Sequence, residues 1–229
     1  IACSVDDCRA VQEGGGDRIE LCSALELGGL TPSLGLLIAA REAVRLPIMA
    51  MLRPRPGGFC YSEAEFAVLL ADADLLLRHG ADGLVFGCLH ADGTVDEART
   101  AAVVRVAGDR QTVFHRAFDV TPDPLTALDQ LNDLGVTRVM TSGQEASAYN
   151  GSRRIAEFLH HAAERIQILP AGGINNLIAR NLVYNHDRAG IAMVPFPEDD
   201  ANDTPPPASE LDKPCDPTKR PTGDEKVGT

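Results

Sequence analysis

The stretch Thr112–Val120, TVFHRAFDV, begins as an apolar, β-branched strand and then sets His115, Arg116 and Asp119 close together. An imidazole moves protons near neutral pH, a guanidinium holds anions, and a carboxylate orients either. Similar residues stand at the ends of other apolar runs. Glu20 and Cys22 close RIELC, and Arg53 and Arg55 follow PIMAML within MLRPRPGGFCYS. Thr141 and Ser142 end RVMTSG, and Gly172 and Gly173 follow IQILP. One reading is a mouth acting on a small anionic metabolite. There His115 is the general acid/base, and Glu20 or Asp119 is its partner carboxylate. Arg53, Arg55, Arg116, Ser142 and the Gly172–Gly173 turn, with its free N–H groups at a helix start, hold the anion. The plainer reading is structural: Glu20 pairs with Arg53 or Arg116, and the two glycines make a tight turn. The residues alone leave both open.

The six cysteines, Cys3, Cys8, Cys22, Cys60, Cys88 and Cys215, include no C-x-x-C pair. That pattern argues against a zinc ribbon or a disulfide scaffold and for reduced thiols. Cys3 and Cys22 fall at the ends of what read as neighbouring strands. Parallel neighbours lie about 4.8 Å apart, so two thiolates there can share a soft ion such as Cu(I). Cys60 and Cys88, in loop or strand-end positions, are secondary candidates.

Short apolar runs at 1–5, 18–22, 47–52, 83–89, 112–118, 138–143 and 166–172 read as buried strands. Amphipathic helical stretches lie between them, at 33–44, 62–80, 96–108, 123–135 and 153–166. Ser62 with Glu65 forms a capping box, and Asp123 before Pro124 marks another helix start. Regular alternation predicts a parallel sheet and an α/β fold of the (β/α)8 TIM-barrel type. Residues 1–194 form that domain, with only IAMV (191–194) left for an eighth strand, so the last βα unit is incomplete. The acidic, Pro-rich segment 195–229 reads as disordered.

A net charge of −12 repels nucleic acid and anionic membrane surfaces, which excludes both as partners. No apolar run approaches the roughly 18 residues that a membrane span needs. The opening IACSVDD lacks the basic and apolar regions of a signal peptide.

Five blocks, GGGDRIELCSALELGGLTPSLGLL, MLRPRPGGFCYSEAEF, GADGLVFGCLHADGTVD, TVFHRAFDVTPDPLTALDQLNDLGVTRVMTSGQ and ILPAGGI, resemble the copper homeostasis protein CutC family in content and order. The resemblance implies a (β/α)8 barrel, a cytoplasmic location, homodimers or homotetramers, and a role in copper handling. It places Cu(I) ligands at the ends of the first two strands. The second falls on Cys22, and gapless alignment puts Ile1 at the first, so Cys3 serves only with a shifted register. The polar mouth carries over to Glu20, Arg53, Arg55, His115, Arg116 and Asp119. RPRPGGF stands where the family has RPRGGDF, and the family's closing strand is missing. Three functions follow as expectations: a Cu(I)-binding homeostasis protein, an enzyme on a small anionic metabolite, or an inactive chain with an open barrel.

Overall fold

A computed structural model describes residues 1–172. Six strands form one parallel sheet: β1 (Ile19–Leu21), β2 (Ile48–Met51), β3 (Gly83–Phe86), β4 (Gln111–Phe114), β5 (Arg138–Thr141) and β6 (Gln167–Pro170). They lie side by side in chain order. Six helices accompany them: α1 (Val5–Glu13), α2 (Leu34–Ala43), α3 (Glu63–Arg78), α4 (Glu97–Ala107), α5 (Pro124–Asp133) and α6 (Ser152–Ala162). All-parallel strands in sequential order, with a helix after each of β1 to β5, are the winding of a βα-barrel wall, and the sheet curls as half of one. The proposed eighth strand, the tail and Cys215 lie outside the described residues.

The helix starts follow from local chemistry. The Ser62 hydroxyl accepts from the Glu65 N–H while the Glu65 carboxylate accepts from the Ser62 N–H, completing the expected capping box. Asp123 caps α5, with Pro124 at its first position.

The expected first strand is a correction. IACSV makes a single parallel bridge, Ala2 to Leu21, with Ala2 N–H on the Glu20 carbonyl at 2.8 Å and Cys22 N–H on the Ala2 carbonyl at 3.0 Å. Ser4 then caps α1, its hydroxyl accepting from Asp7 N–H, so the chain turns helical before a second pair can form. Strand and helix compete for the same residues, and the cap wins.

The expected 112–118 strand also ends early. It stops at Phe114, and His115 caps a short 3-10 turn over Arg116–Val120.

Alternation divides the sheet into two faces. Ile19, Leu21, Ile48, Ala50, Leu84, Phe86, Phe114 and Val139 face the helices and pack on residues such as Leu37, Leu69, Val103, Leu131 and Phe158. Each fully buried Leu or Phe there contributes roughly 1.5–3 kcal/mol. The other face is inward and carries a separate cluster: Cys22, Met49, Met51, Val85, Val113 and Met140. At its lower end Arg138 Nε and Nη2 donate to Gln167 Oε1 at 2.9 and 2.6 Å, and Arg18 donates to Gln111 Oε1 at 3.2 Å. Among the described residues no helix is long and apolar enough to cross a membrane.

Candidate functional site

The inward face is stacked in layers, and the lower functional layer is sulfur. Glu20 and Cys22 are two apart in and just after β1, so both point inward. The Ala2–Leu21 bridge lays Cys3 beside Cys22, with the two Sγ atoms 3.5 Å apart. Cys3 is part-exposed and Cys22 is buried. Burial, and then the neighbouring Cys3 thiol, push the Cys22 thiol up to about 12. Both cysteines pack in the cluster that holds the thioethers of Met49, Met51 and Met140. A Cβ on Gly29, which sits at φ +81°, would stand 3.6 Å from both Cys22 Sγ and Met51 Cε, so thiol and thioether methyl border one spot. Met49 lies over Gly83, whose missing side chain leaves it room. Burial raises the Glu20 carboxyl to about 6, although part of its surface stays open. Among the described residues Glu20 makes no ion pair, with Arg53 or any other cation.

The next layer up holds Arg53, Gly87 and His115. Met51, Val85 and Val113 are register partners across β2, β3 and β4, and these three residues stand two further along each chain. A Cβ on Gly87 would come 2.5 Å from His115 Cε1, so the imidazole occupies the space a side chain would take. His115 is 4% exposed, and its Nδ1 accepts from the Ala117 N–H at 3.1 Å. That bond puts the ring proton on Nε2, which has no partner among the described residues. Burial first, and then Arg53, hold the imidazole down at about 3, so it is neutral at physiological pH. Arg53 Nη1 donates to the Leu27 and Gly29 carbonyls at 2.9 and 3.3 Å, and Nη2 to Gly57 at 2.9 Å. Its Nε is buried without a partner among the described residues. The Phe59 ring lies against both, 4.9 Å from the His115 ring centre and 5.2 Å from Arg53 Cζ.

Asp119 faces a different set of groups. It accepts from Thr141 Oγ1 at 2.5 Å, Ser142 N–H at 3.0 Å, Gln144 N–H at 3.2 Å and Arg116 Nε at 2.8 Å. Arg116 Nη2 donates to Ser142 Oγ at 2.9 Å. A Cβ on Gly172, at φ +89°, would come 2.9 Å from Arg116 Cζ, so the β6 loop backbone lies on the guanidinium. Gly173 lies outside the described residues.

The structure therefore joins Arg116, Asp119, Ser142 and Gly172 in one network, and sets Arg53 and His115 against the same Phe59 ring without a hydrogen bond between them. It places neither Glu20 nor Asp119 in hydrogen-bonding contact with His115. Arg55 turns away to brace its own loop, with Nε on Glu65 at 2.5 Å and Nη2 on the Cys60 carbonyl at 2.9 Å. Cys8 and Cys88 are buried in the outward core, and Cys60 is exposed. Sequence reasoning missed Phe59 and the inward methionines. Alternation in IMAM, with Met at both inward positions, was the available signal. Among the described residues no group of three or more His, Cys, Asp and Glu side chains is arranged to hold a metal ion. A surface hollow of about 710 Å³, lined by His90, Thr94, Asp96, Glu97 and Gln130, gathers none of these residues.

The CutC family model matches residues 2–195. The chain belongs to the CutC family. A CutC protein of Treponema denticola is 51% identical over 180 residues, spanning 79% of this chain and 73% of the relative. The human copper homeostasis protein cutC homolog is 44% identical over 179 residues, 78% of this chain and 64% of its own. A CutC crystal structure from Streptococcus agalactiae superposes with a TM-score of 0.69 at 29% identity, covering 73% of this chain and 83% of that one. The aldolase QR15, with a TM-score of 0.53 at 13% identity, shares the fold alone.

Proposed function

We propose that this CutC-family chain serves copper homeostasis by holding Cu(I) between the sulfurs of Cys3 and Cys22. The 3.5 Å approach of the two Sγ atoms carries the reading. It is supported by the relatives named for copper homeostasis and by the methionine surroundings. Thiols and thioethers without a His or carboxylate triad favour a soft monovalent ion over Zn²⁺. Cys22 is protonated at neutral pH without metal, so binding displaces protons and tightens as pH rises. Cytoplasmic location and self-association as a dimer or tetramer belong to the same proposal. Anaerobic titration with Cu(I) under a competing chelator tests it. Cys22→Ser and Cys3→Ser each weaken binding by at least about 100-fold, more than loss of a supporting residue costs. Equal affinity in wild type and Cys22→Ser sinks this site.

A second reading is an enzyme on a small anionic metabolite. One observation favours it: among the described residues Arg53 and His115 each keep a buried donor without an acceptor. Asp119, whose oxygens are already engaged, fits a bracing role there better than proton transfer.

A further inference from the structure

We propose that Arg53 and His115 form a binding site for the carboxylate of a small organic acid, roofed by Phe59. The inference rests on the anion-binding half of the second reading and does not depend on copper.

Arg53 is 8% exposed and makes no ion pair among the described residues. Its bonds run to three backbone carbonyls, which supply dipoles but no charge. A buried guanidinium without a counter-ion is costly unless an anion joins it, and its idle Nε–H shows where one bond is still to be made. One strand over, past the gap left by Gly87, His115 offers a second idle donor, Nε2–H. Its Nδ1 lone pair is engaged by Ala117 N–H, so the imidazole reaches a ligand as a donor. A neutral imidazole adds no charge. The site is singly positive with two N–H groups, which suits a monovalent carboxylate with two acceptor oxygens. A phosphate dianion would ask for more charge and more donors.

Phe59 is the neighbour that the two side chains share. Its ring packs on both side chains, giving weak contacts that an oxyanion would replace. It is itself only part-buried, and its loop is held by Arg53 on the Gly57 carbonyl and Arg55 on the Gly58 and Cys60 carbonyls, so a ligand enters by turning the ring rather than by moving the loop. The site lies one layer above Cys22 and Met51 and shares no residue with the Asp119 network.

Ring-selective 15N–1H NMR of the full chain tests this, with acetate, pyruvate and inorganic phosphate as probes. Carboxylates are expected to move the His115 Nε2–H resonance downfield and to raise the thermal midpoint. Arg53→Gln and His115→Phe are each expected to weaken carboxylate binding about 10- to 100-fold. Phe59→Ala binds at least as tightly as wild type, and Cys22→Ser binds as wild type does, which separates this site from the copper reading. No resonance change with any carboxylate in wild type and Phe59→Ala overturns the proposal. So does a response to phosphate alone. Should Arg53→Gln fail to fold, His115→Phe and the wild-type ring resonance still decide.

Discussion

Asp119 and His115 share one short turn, yet their surroundings are opposite. Asp119 receives hydrogen bonds from Thr141, Ser142, Gln144 and Arg116, and its charge is matched. His115 is buried deeper, yet among the described residues its Nε2 has no partner, and neither has the Nε of Arg53 beside it. A saturated polar cluster fixes a structure; an unsaturated one keeps hydrogen-bonding capacity, and unmet buried donors are expensive. The contrast separates the residues that hold the β5 loop in place from those with capacity for a ligand.

The largest test removes the saturated side. Asp119→Ala strands the Thr141, Ser142 and Gln144 donors, while the largely exposed Arg116 can turn to water, and it is expected to cost about 2–3 kcal/mol in urea unfolding. A loss under about 1 kcal/mol, the worth of one ordinary hydrogen bond, would erase the contrast.

Gly87→Ala attacks the other side. The new methyl would meet His115 Cε1 at 2.5 Å, so the ring must move, at about 1–3 kcal/mol. The His115 ring resonances should shift with it, and unchanged resonances at unchanged stability would mean the imidazole is not wedged there.

The smallest effect is a slope. Glu20, raised to about 6, holds its proton more readily folded than unfolded. Its contribution is present at low pH and lost as pH rises from the ordinary glutamate range to 6. His115, lowered to about 3, does the reverse: its contribution is present above its ordinary value near 6.5 and lost as pH falls below it. Between roughly pH 4.5 and 6 the two slopes, each at most about 1.4 kcal/mol per pH unit, oppose each other. Relative to wild type, Glu20→Gln should gain stability with rising pH in that window, and His115→Phe should lose it. Unfolding midpoints measured across the window check both, and parallel curves for all three proteins would remove the claim that either group is perturbed.

Much of the frame was legible. The Ser62–Glu65 and Asp123–Pro124 caps formed as read, because a cap needs only residues within one turn. The strand centres were legible from apolar runs, and Cys3 beside Cys22 from neighbouring strand ends. Strand ends were not: Ser4 can cap a helix or extend IACSV as a strand, and the letters do not weigh a local cap against pairing with a distant strand. Nor could sequence tell the two kinds of mouth residue apart. Arg53, Arg55 and Arg116 look alike in a row of letters, and only long-range partners distinguish them. Arg55 pairs with Glu65, Arg116 finds Asp119 and Ser142, and Arg53 finds carbonyls but, among the described residues, no carboxylate. The Arg53–His115 site rests on a glycine, and an absent side chain has no chemistry to read.

That glycine bears on how such a chain can diverge. Positions 87 and 115 share a single volume, so drift at one is licensed only by a compensating change at the other. A lineage that acquires a side chain at the first should already have surrendered the imidazole at the second. The pair then becomes a marker, readable from related genomes alone, of which descendants kept the imidazole beside Arg53 and which retained only the sulfur beneath it.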